Sequence, residues 1–240
     1  MNILHPAALL LTSLTMACSP INTSQAPTPI TSSGFPAPDR PVASIITSHS
    51  GAEDFRDRTG EAAQTMAAIG VRPGLIIADI GAGDGYFTTR LSPALGPTGK
   101  VIATDVMPDY LARLKARIAS ENLQNVTVIQ GGFDDPKLPP ASVDVALMVR
   151  MYHEIEQPYA FLWRLCDALK PGGTVAVSER DRPTADHGTP PDLLRCEFGA
   201  VGYQQISFTT LGPQVGYVAI FAPTNPRPAP GEIKPCGSGR

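Results

Sequence analysis

Hydrophobic and polar positions follow two alternating periods through the middle of the chain. Short runs that are almost wholly apolar are typical of strands buried on both faces of a parallel sheet. Such runs are residues 75–80, 101–105, 126–129, 143–149 and 174–178. Between them, apolar residues recur at helical spacing, which predicts amphipathic helices. These segments are residues 52–69, 86–95, 108–120, 159–169 and 192–201. The alternation predicts an α/β fold in which helices cover both faces of the sheet.

The last two strand-like segments, 205–210 and 216–221, are joined by only about five residues. Because a link this short cannot contain a crossover helix, the two strands must be antiparallel. The prediction is therefore a three-layer, Rossmann-like α/β domain with a seven-stranded sheet, mostly parallel and with an antiparallel last strand.

The N-terminus of the chain differs in composition from its middle. No Asp, Glu, Lys or Arg occurs before residue 39, and a short apolar run at 7–14 precedes Ala17 and Cys18. This pattern is typical of a signal peptide, and the run is too short to span a bilayer. Ala17-Cys18 also resembles a bacterial lipoprotein cleavage site, which implies export to the periplasm or membrane anchoring through a lipidated Cys18. If the segment is not a signal, the chain is expected in the cytoplasm.

Composition also predicts how the chain divides into domains. Of the 25 prolines, 12 lie in the first 50 or the last 18 residues, and these segments are poor in large apolar side chains. Such segments cannot bury enough surface to fold alone. The predicted division is a signal peptide and lipoprotein box at 1–18, a flexible Ser/Thr/Pro linker at 19–50, a folded domain at 51–222 and a disordered Pro-rich tail at 223–240.

Charge and cysteine spacing exclude several classes of partner. A net charge of −3 provides no positive field for a phosphate backbone, so nucleic-acid binding is not expected. The four cysteines lie far apart, without a C-x-x-C pair or a nearby histidine at zinc-ligand spacing. Neither a disulfide framework nor a metal site is expected. The cysteines are Cys18, Cys166, Cys196 and Cys236.

A glycine-rich loop, 79–85, lies between a predicted buried strand and a helix. Glycines at this place let the backbone approach a ligand and leave the helix N-terminal amides pointing into the crevice. Dinucleotide-binding enzymes have G-x-G-x-x-G here, whereas Gly85 comes one residue early, which disfavours an NAD-dependent oxidoreductase. Asp105 ends the second predicted strand, where an acidic residue binds ribose hydroxyls.

Four motifs together resemble the class I S-adenosylmethionine-dependent methyltransferases. They are D-x-G-x-G-x-G at 79–85, Asp105, Gly132-Phe133-Asp134 and Leu169-Lys170-Pro171-Gly172-Gly173. The resemblance covers about residues 53–222 and is strongest to bacterial small methyltransferases with a Tyr-His-Glu segment after the fourth strand, here Tyr152-His153-Glu154. It implies a seven-stranded sheet with an antiparallel last strand, in agreement with the hydrophobic pattern, and S-adenosyl-L-methionine as the cofactor.

The resemblance also implies roles for single residues in a cofactor site. Asp79 would order the glycine loop next to the methionine ammonium group, and Asp105 would accept hydrogen bonds from the ribose diol. Asp134 would accept from the adenine amine, and Arg150 would pair with the cofactor carboxylate or an anionic acceptor. The alternatives are a simple turn residue for Asp134 and a surface ion pair for Arg150. The remaining expected cofactor-binding residues are Gly81, Ala82, Gly83, Gly85, Tyr86, Val106, Met107 and Phe133.

The acceptor is expected just beyond the fourth strand, at residues 148–154. The Asn/Asp-Pro-Pro-Tyr/Phe arrangement of amino methyltransferases is absent there, and no carboxylate directly ends the strand to hold magnesium. A histidine can exchange a proton near neutral pH, so His153 is a candidate base, which Glu154 or Glu179 could orient or replace. The alternative is that His153 and Glu154 only close the loop.

These observations predict methyl transfer from S-adenosylmethionine to an unidentified small-molecule acceptor. The alternative is an exported binding protein that keeps the methyltransferase fold without turnover, because the cofactor is made in the cytosol while the N-terminus indicates export. An NAD-dependent oxidoreductase is the less favoured alternative, since the glycine spacing and the final hairpin oppose it.

Overall fold

The computed structural model of the chain describes residues 34–46 and 50–237. Its strands, in chain order, are β1 (Ile76–Ile80), β2 (Lys100–Asp105), β3 (Val126–Gln130), β4 (Val143–Val149), β5 (Leu169–Glu179), β6 (Tyr203–Thr210) and β7 (Tyr217–Pro223). The α-helices of these residues are α1 (Ser50–Arg58), α2 (Glu61–Ala68), α3 (Tyr86–Leu95), α4 (Pro108–Ser120), α5 (Pro158–Ala168) and α6 (Pro191–Ala200). The predicted signal peptide at 1–18 lies outside the described residues.

The strands form one seven-stranded sheet in the order β3-β2-β1-β4-β5-β7-β6. Neighbouring strands are parallel, except that β7 runs antiparallel to both β5 and β6. The predicted α/β class and the antiparallel last strand are therefore confirmed. The order of the strands reverses between β1 and β4, and a crevice forms at such a point because the loops leave the sheet in opposite directions.

Apolar residues on the two faces of the sheet build two cores. Ile77 of β1 packs in one core with Leu91 of α3, whereas its neighbour Ala78 belongs to the other core with Leu162 of α5. All four residues are fully buried. Because strand side chains alternate between faces and helices cover both faces, β1 is apolar at four of its five positions. This is the physical reason why hydrophobic runs located the strands.

The first predicted helix, 52–69, is two helices in the structure. Helix α1 ends at Arg58 and α2 begins at Glu61, with Gly60 between them in the left-handed conformation at a φ of 66°. Residues with a Cβ rarely adopt this φ, so Gly60 ends the helical geometry. Arg56 spans the break and donates two hydrogen bonds to the carboxylate of Glu61, at 3.1 and 3.0 Å.

Residues 34–46, predicted as part of a flexible linker, lie against the folded domain instead. The side chain of Phe35 is buried. Arg40 forms an ion pair with Glu197 of α6, with 2.9 Å between Nε and Oε1. The N–H of Ala43 donates to the carbonyl of His153. Composition did not indicate this docking because it depends on a few contacts, such as those of Arg40 and Ala43, with residues far along the chain.

Residues 223–237, predicted as a disordered tail, also pack on the domain. Cys236 forms a disulfide with Cys196 of α6, contrary to the expectation of no disulfide. The backbone N–H of Cys236 donates to the hydroxyl of Tyr159 at 2.7 Å, and the indole N–H of Trp163 donates to the carbonyl of Pro228 at 3.0 Å. The cysteine spacing could not reveal the pair, since its members are 40 residues apart and meet only when the tail folds back.

The two terminal segments meet on the side of the domain that carries α6. Asp39 and Gly237 form a parallel bridge between them. The domain therefore includes residues from both segments, in addition to the predicted range of 51–222. Within residues 34–46 and 50–237, no helix is long and apolar enough to cross a membrane.

Candidate active site

A cleft opens at the carboxyl ends of β1, β2 and β4, where the strand order reverses. Its walls come from the glycine loop after β1, from Asp105 and Val106, from residues 131–133 after β3, and from residues 149–151 after β4. Helix α1 and residues 45–46 form the remaining side. The topology thus gathers in one place the loops that the sequence motifs indicated.

Backbone hydrogen bonds to β2 hold the glycine loop in shape. The N–H groups of Gly81 and Ala82 both donate to the carbonyl of Thr104, at 2.8 and 3.1 Å. Gly85 has a φ of 92°, and a Cβ at this position would lie 2.5 Å from a leucine side chain of α4. Gly83 lines the cleft, and a Cβ here would meet no atom within 4 Å. The loop therefore leaves open space beside its backbone for a ligand.

Asp105 connects this loop to the end of β2. Its Oδ2 accepts from the N–H of Gly83 and its Oδ1 from the N–H of Met107, both at 2.9 Å. The residue is buried in the cleft wall, and this burial raises the pKa of its carboxyl. Each oxygen keeps a further lone pair, so Asp105 can accept hydrogen bonds from a diol in the cleft. Among the described residues, the wall includes Val106 but not Met107.

Asp79 lies in β1, just before the glycines of the loop, and is 3% exposed. The hydroxyl of Thr88 in α3 donates to its Oδ2 at 2.6 Å. Burial raises the pKa of Asp79 to about 6, because the surroundings solvate the carboxylate poorly. At neutral pH the carboxylate of Asp79 is therefore ionised in the folded protein, and its burial lowers the stability of the fold.

Replacing Asp79 by asparagine is expected to stabilise the protein at pH 7. Because the folded-state pKa of about 6 exceeds the 3.8 of an ordinary aspartate, the folded protein binds more protons in this window, and stability falls as the pH rises through it. Each pKa unit is worth about 1.4 kcal/mol, so Asp79→Asn should gain up to about 3 kcal/mol at pH 7 and little at pH 4. Urea unfolding at both pH values measures this gain. The exposed Asp109→Asn control should change little at either pH, and an Asp79→Asn variant no more stable than wild type at pH 7 would contradict the prediction.

The loop after β3 forms a further wall of the cleft. Phe133 lines it with a ring that is 53% exposed, so an apolar face is available to a flat ligand. Asp134 forms an ion pair with Arg164 of α5, and it is not part of the wall formed by the described residues. The structure thus brings Phe133 to the cleft but directs Asp134 to a neighbouring helix.

Helix α1 contributes residues that the sequence motifs did not include. Glu53, Phe55 and Arg56 line the cleft. The guanidinium of Arg56 lies 3.8 Å from the ring centroid of Tyr86, the predicted cofactor residue that begins α3. No motif marks α1, and its position depends on the interruption between α1 and α2 at Gly60. The sequence pattern therefore carried no signal for this wall.

Arg150 lines the cleft and is held by the fully buried Glu61. Its Nη2 lies 2.7 Å from Oε2 of Glu61, which Arg56 also contacts. Burial lowers the pKa of Arg150 to about 10. The Nε of Arg150 is buried without a hydrogen-bond partner among the described residues. Arg150 therefore belongs to a buried ion cluster, and it retains one N–H donor that is not in use.

The three residues predicted as bases lie together beside the cleft. The carboxylate of Glu179 is 2.9 and 3.1 Å from Nδ1 of His153, and it also accepts the N–H of Tyr152 at 3.0 Å. Nε2 of His153 lies 3.9 Å from Oε1 of Glu154. Of the three, Glu154 lines the cleft, and burial raises its pKa to about 7. Glu154 therefore has direct access to a ligand, whereas His153 and Glu179 stand behind it.

This sheet order, with a glycine loop after β1 and an acidic residue after β2 at one cleft, defines the class I methyltransferase fold. A S-adenosylmethionine-dependent methyltransferase from Aquifex aeolicus superimposes with a TM-score of 0.62 at 22% identity, covering 73% of this chain and 97% of that one. A putative methyltransferase from Haloferax volcanii, solved with its Trm112 activator, gives a TM-score of 0.60 at 17% identity, covering 73% and 95%. These likenesses show the shared fold.

Sequence comparison relates part of the chain to known methyltransferases. Residues 77–173 match a family described as a methyltransferase domain. The demethylmenaquinone methyltransferase of Lactococcus lactis is 33% identical over 122 residues, which are 51% of this chain and 48% of that protein. The arsenite methyltransferase of Halobacterium salinarum is 27% identical over 135 residues, covering 53% and 34%. The chain thus spans half or less of the length of these curated relatives.

Proposed function

We propose that this chain transfers the methyl group of S-adenosylmethionine to a small-molecule acceptor. The observation that carries the proposal is the open space beside Gly83, bordered by the carboxylate of Asp105. A side chain at residue 83 would occupy this space, whereas the lone pairs of Asp105 suit the two ribose hydroxyls of the cofactor. The residues present therefore fit the cofactor of the methyltransferase domain.

The cofactor supplies a methyl group bonded to a positively charged sulfur, which an acceptor atom attacks in line. The chain's contribution is to hold both partners, because orientation provides most of the acceleration in such a transfer. Asp105 and the glycine loop would bind the nucleoside, with the exposed ring of Phe133 against the base. Asp79 is buried and is not part of the cleft wall formed by the described residues, so in this proposal its charge attracts the ammonium group from behind the loop.

The acceptor is a small and largely apolar molecule in this proposal. Hydrophobic side chains form much of the wall outside the glycine loop, namely Ile45, Ile46, Phe55, Ile155 and Phe161. Glu154 lines the same region and is placed to take the acceptor's proton, with His153 and Glu179 positioning it from behind. The relatives named for demethylmenaquinone and arsenite support an acceptor of small size.

Calorimetric titration of the full chain with S-adenosylmethionine tests the cofactor site. Wild type should bind, and Asp105→Ala should bind about 10- to 100-fold more weakly, because hydrogen bonds to a charged group contribute about 1.5–3 kcal/mol. Asp109→Ala is the control, since Asp109 is an exposed acidic residue at the start of α4. Absence of binding by folded wild-type protein would overturn the proposal in favour of a non-catalytic binding protein.

We also propose that the chain is exported and reaches the periplasm or the outer face of a membrane. The short apolar run at 7–14, followed by Ala17 and Cys18, supports export. The disulfide between Cys196 and Cys236 adds support, because disulfides persist mainly in oxidising compartments. The mass of the mature N-terminus tests this: loss of residues 1–17 with a lipid on Cys18 is expected for an anchored protein, and an intact Met1 would contradict export.

A further inference from the structure

We infer that His153, Glu154 and His187 form a binding site for one divalent transition-metal ion. One potential ligand atom of each residue lies within 4.8 Å of the other two. Two imidazoles and one carboxylate bind ions such as Zn²⁺, Fe²⁺ and Co²⁺, and they leave coordination positions open. His153 and Glu154 come from the 3₁₀ turn after β4 and His187 from the loop after β5, so the ligands converge from two adjacent strands.

His153 is already oriented as a metal ligand would be. It is 2% exposed, and its Nδ1 lies 2.9 and 3.1 Å from the two carboxylate oxygens of Glu179. Because a carboxylate accepts, Nδ1 carries the proton, and the lone pair of Nε2 is left on the side of Glu154. Metal-binding histidines commonly donate their other ring N–H to a carboxylate in this way, which fixes the tautomer and the ring orientation.

His187 supplies the second imidazole and has a polar atom without a partner. Its ring centroid is 5.4 Å from that of His153, and the two rings are almost perpendicular. The Nδ1 of His187 is buried and makes no hydrogen bond within the described part of the chain. A buried ring nitrogen that is left unpaired costs free energy, and a metal ion would satisfy it.

Glu154 connects this site with the cleft, because its side chain lines the cleft wall. The open coordination positions would therefore be accessible to a molecule bound there. This role rests on the proposed function: the ion would bind an acceptor oxygen or nitrogen and hold it beside the methyl donor, while the acceptor's proton passes to solvent. Glu154 then acts as a ligand instead of a base. Metal binding itself does not depend on methyl transfer.

Titration of the full chain with Co²⁺ or Zn²⁺, after removal of metal with EDTA and without S-adenosylmethionine, tests the inference. Wild type should bind one ion per chain, with the visible Co²⁺ absorption of a nitrogen and oxygen ligand set. His187→Ala should weaken binding by at least about 10-fold. Removing a residue that only hydrogen-bonds to a metal ligand already weakens binding about 10- to 100-fold. Asp186→Ala, which changes the exposed neighbour of His187, should bind as wild type does. Glu179→Gln should weaken binding by a similar factor through His153.

Equal binding by the His187→Ala and Asp186→Ala variants, both folded by circular dichroism, would overturn the inference, as would no binding by wild type. Should His187→Ala fail to fold, Glu154→Gln replaces it with the same expectation. Titration of the metal-free chain with S-adenosylmethionine separates the two proposals. Cofactor binding without Co²⁺ binding removes the metal site alone, and Co²⁺ binding without cofactor binding removes the methyltransferase function alone.

Discussion

Replacing Arg40 by methionine is expected to lower the free energy of unfolding by about 3–5 kcal/mol. The side chains of Arg40 and Glu197 are 1% and 0% exposed, with 2.9 Å between Nε and Oε1. The hydroxyl of Tyr152 donates to the other oxygen of Glu197 at 2.7 Å. Without the guanidinium, the carboxylate stays buried and keeps, among the described residues, this neutral hydroxyl as its side-chain donor, which is costly. Urea unfolding at neutral pH measures the loss.

Two further variants distinguish loss of the buried charge pair from a general effect of losing an arginine. Arg195 lies on the same helix as Glu197 and pairs with Asp192 at the surface, so Arg195→Met should change stability by less than about 1 kcal/mol. Removing both charges, in Arg40→Met/Glu197→Leu, should be less harmful than removing Arg40 alone. If Arg40→Met and Arg195→Met unfold at the same urea concentration, residues 34–46 do not dock on the domain.

Replacing Cys236 by serine is expected to lower the free energy of unfolding by about 2–4 kcal/mol. The bond to Cys196 joins residues 40 apart in the chain and secures the segment 223–237. Its loss gives the unfolded chain more conformations and removes the covalent link that holds the tail on α6. Thermal unfolding with and without a reductant measures the effect, because a reductant should destabilise wild type by a similar amount and leave Cys236→Ser unchanged.

Cys166 provides the matched control for the disulfide. It is a free, half-buried cysteine in α5, so Cys166→Ser should remain as sensitive to reductant as wild type. A wild-type protein whose unfolding does not respond to reductant would contradict the disulfide. That result would also remove the structural support for export, because the oxidising compartment is inferred from this bond.

The helices and strands of the domain were largely predictable from local signals. The predicted helices 86–95 and 108–120 have the bounds of α3 and α4, since Gly85 and Gly96 flank the first and Pro108 begins the second. Lys170–Gly173, in contrast, was predicted to separate a helix from a strand, but it lies within β5. There the register to β4 shifts between Val143 and Val145, an irregularity that depends on the partner strand.

The side of the cleft formed by the glycine loop and Asp105 was more predictable than the side formed by α1. The glycine loop and Asp105 are each marked by their position at the end of a buried strand, and the crevice lies where parallel strands end. The wall from α1 and the contact between Glu61 and Arg150 had no such mark. They depend on how α1 and α2 pack across the break at Gly60, which periodicity does not describe.

The sequence by itself determined the alternation of strands and helices, the antiparallel last strand and the glycine-loop side of the cleft. Each of these follows from residues within one element or in the turn next to it, where periodicity and turn chemistry act. Only the tertiary structure decided the docking of residues 34–46 and 223–237 and the cluster of His153, Glu154 and His187. These contacts join residues far apart in the chain, so periodicity and turn chemistry within one element carry no signal for them.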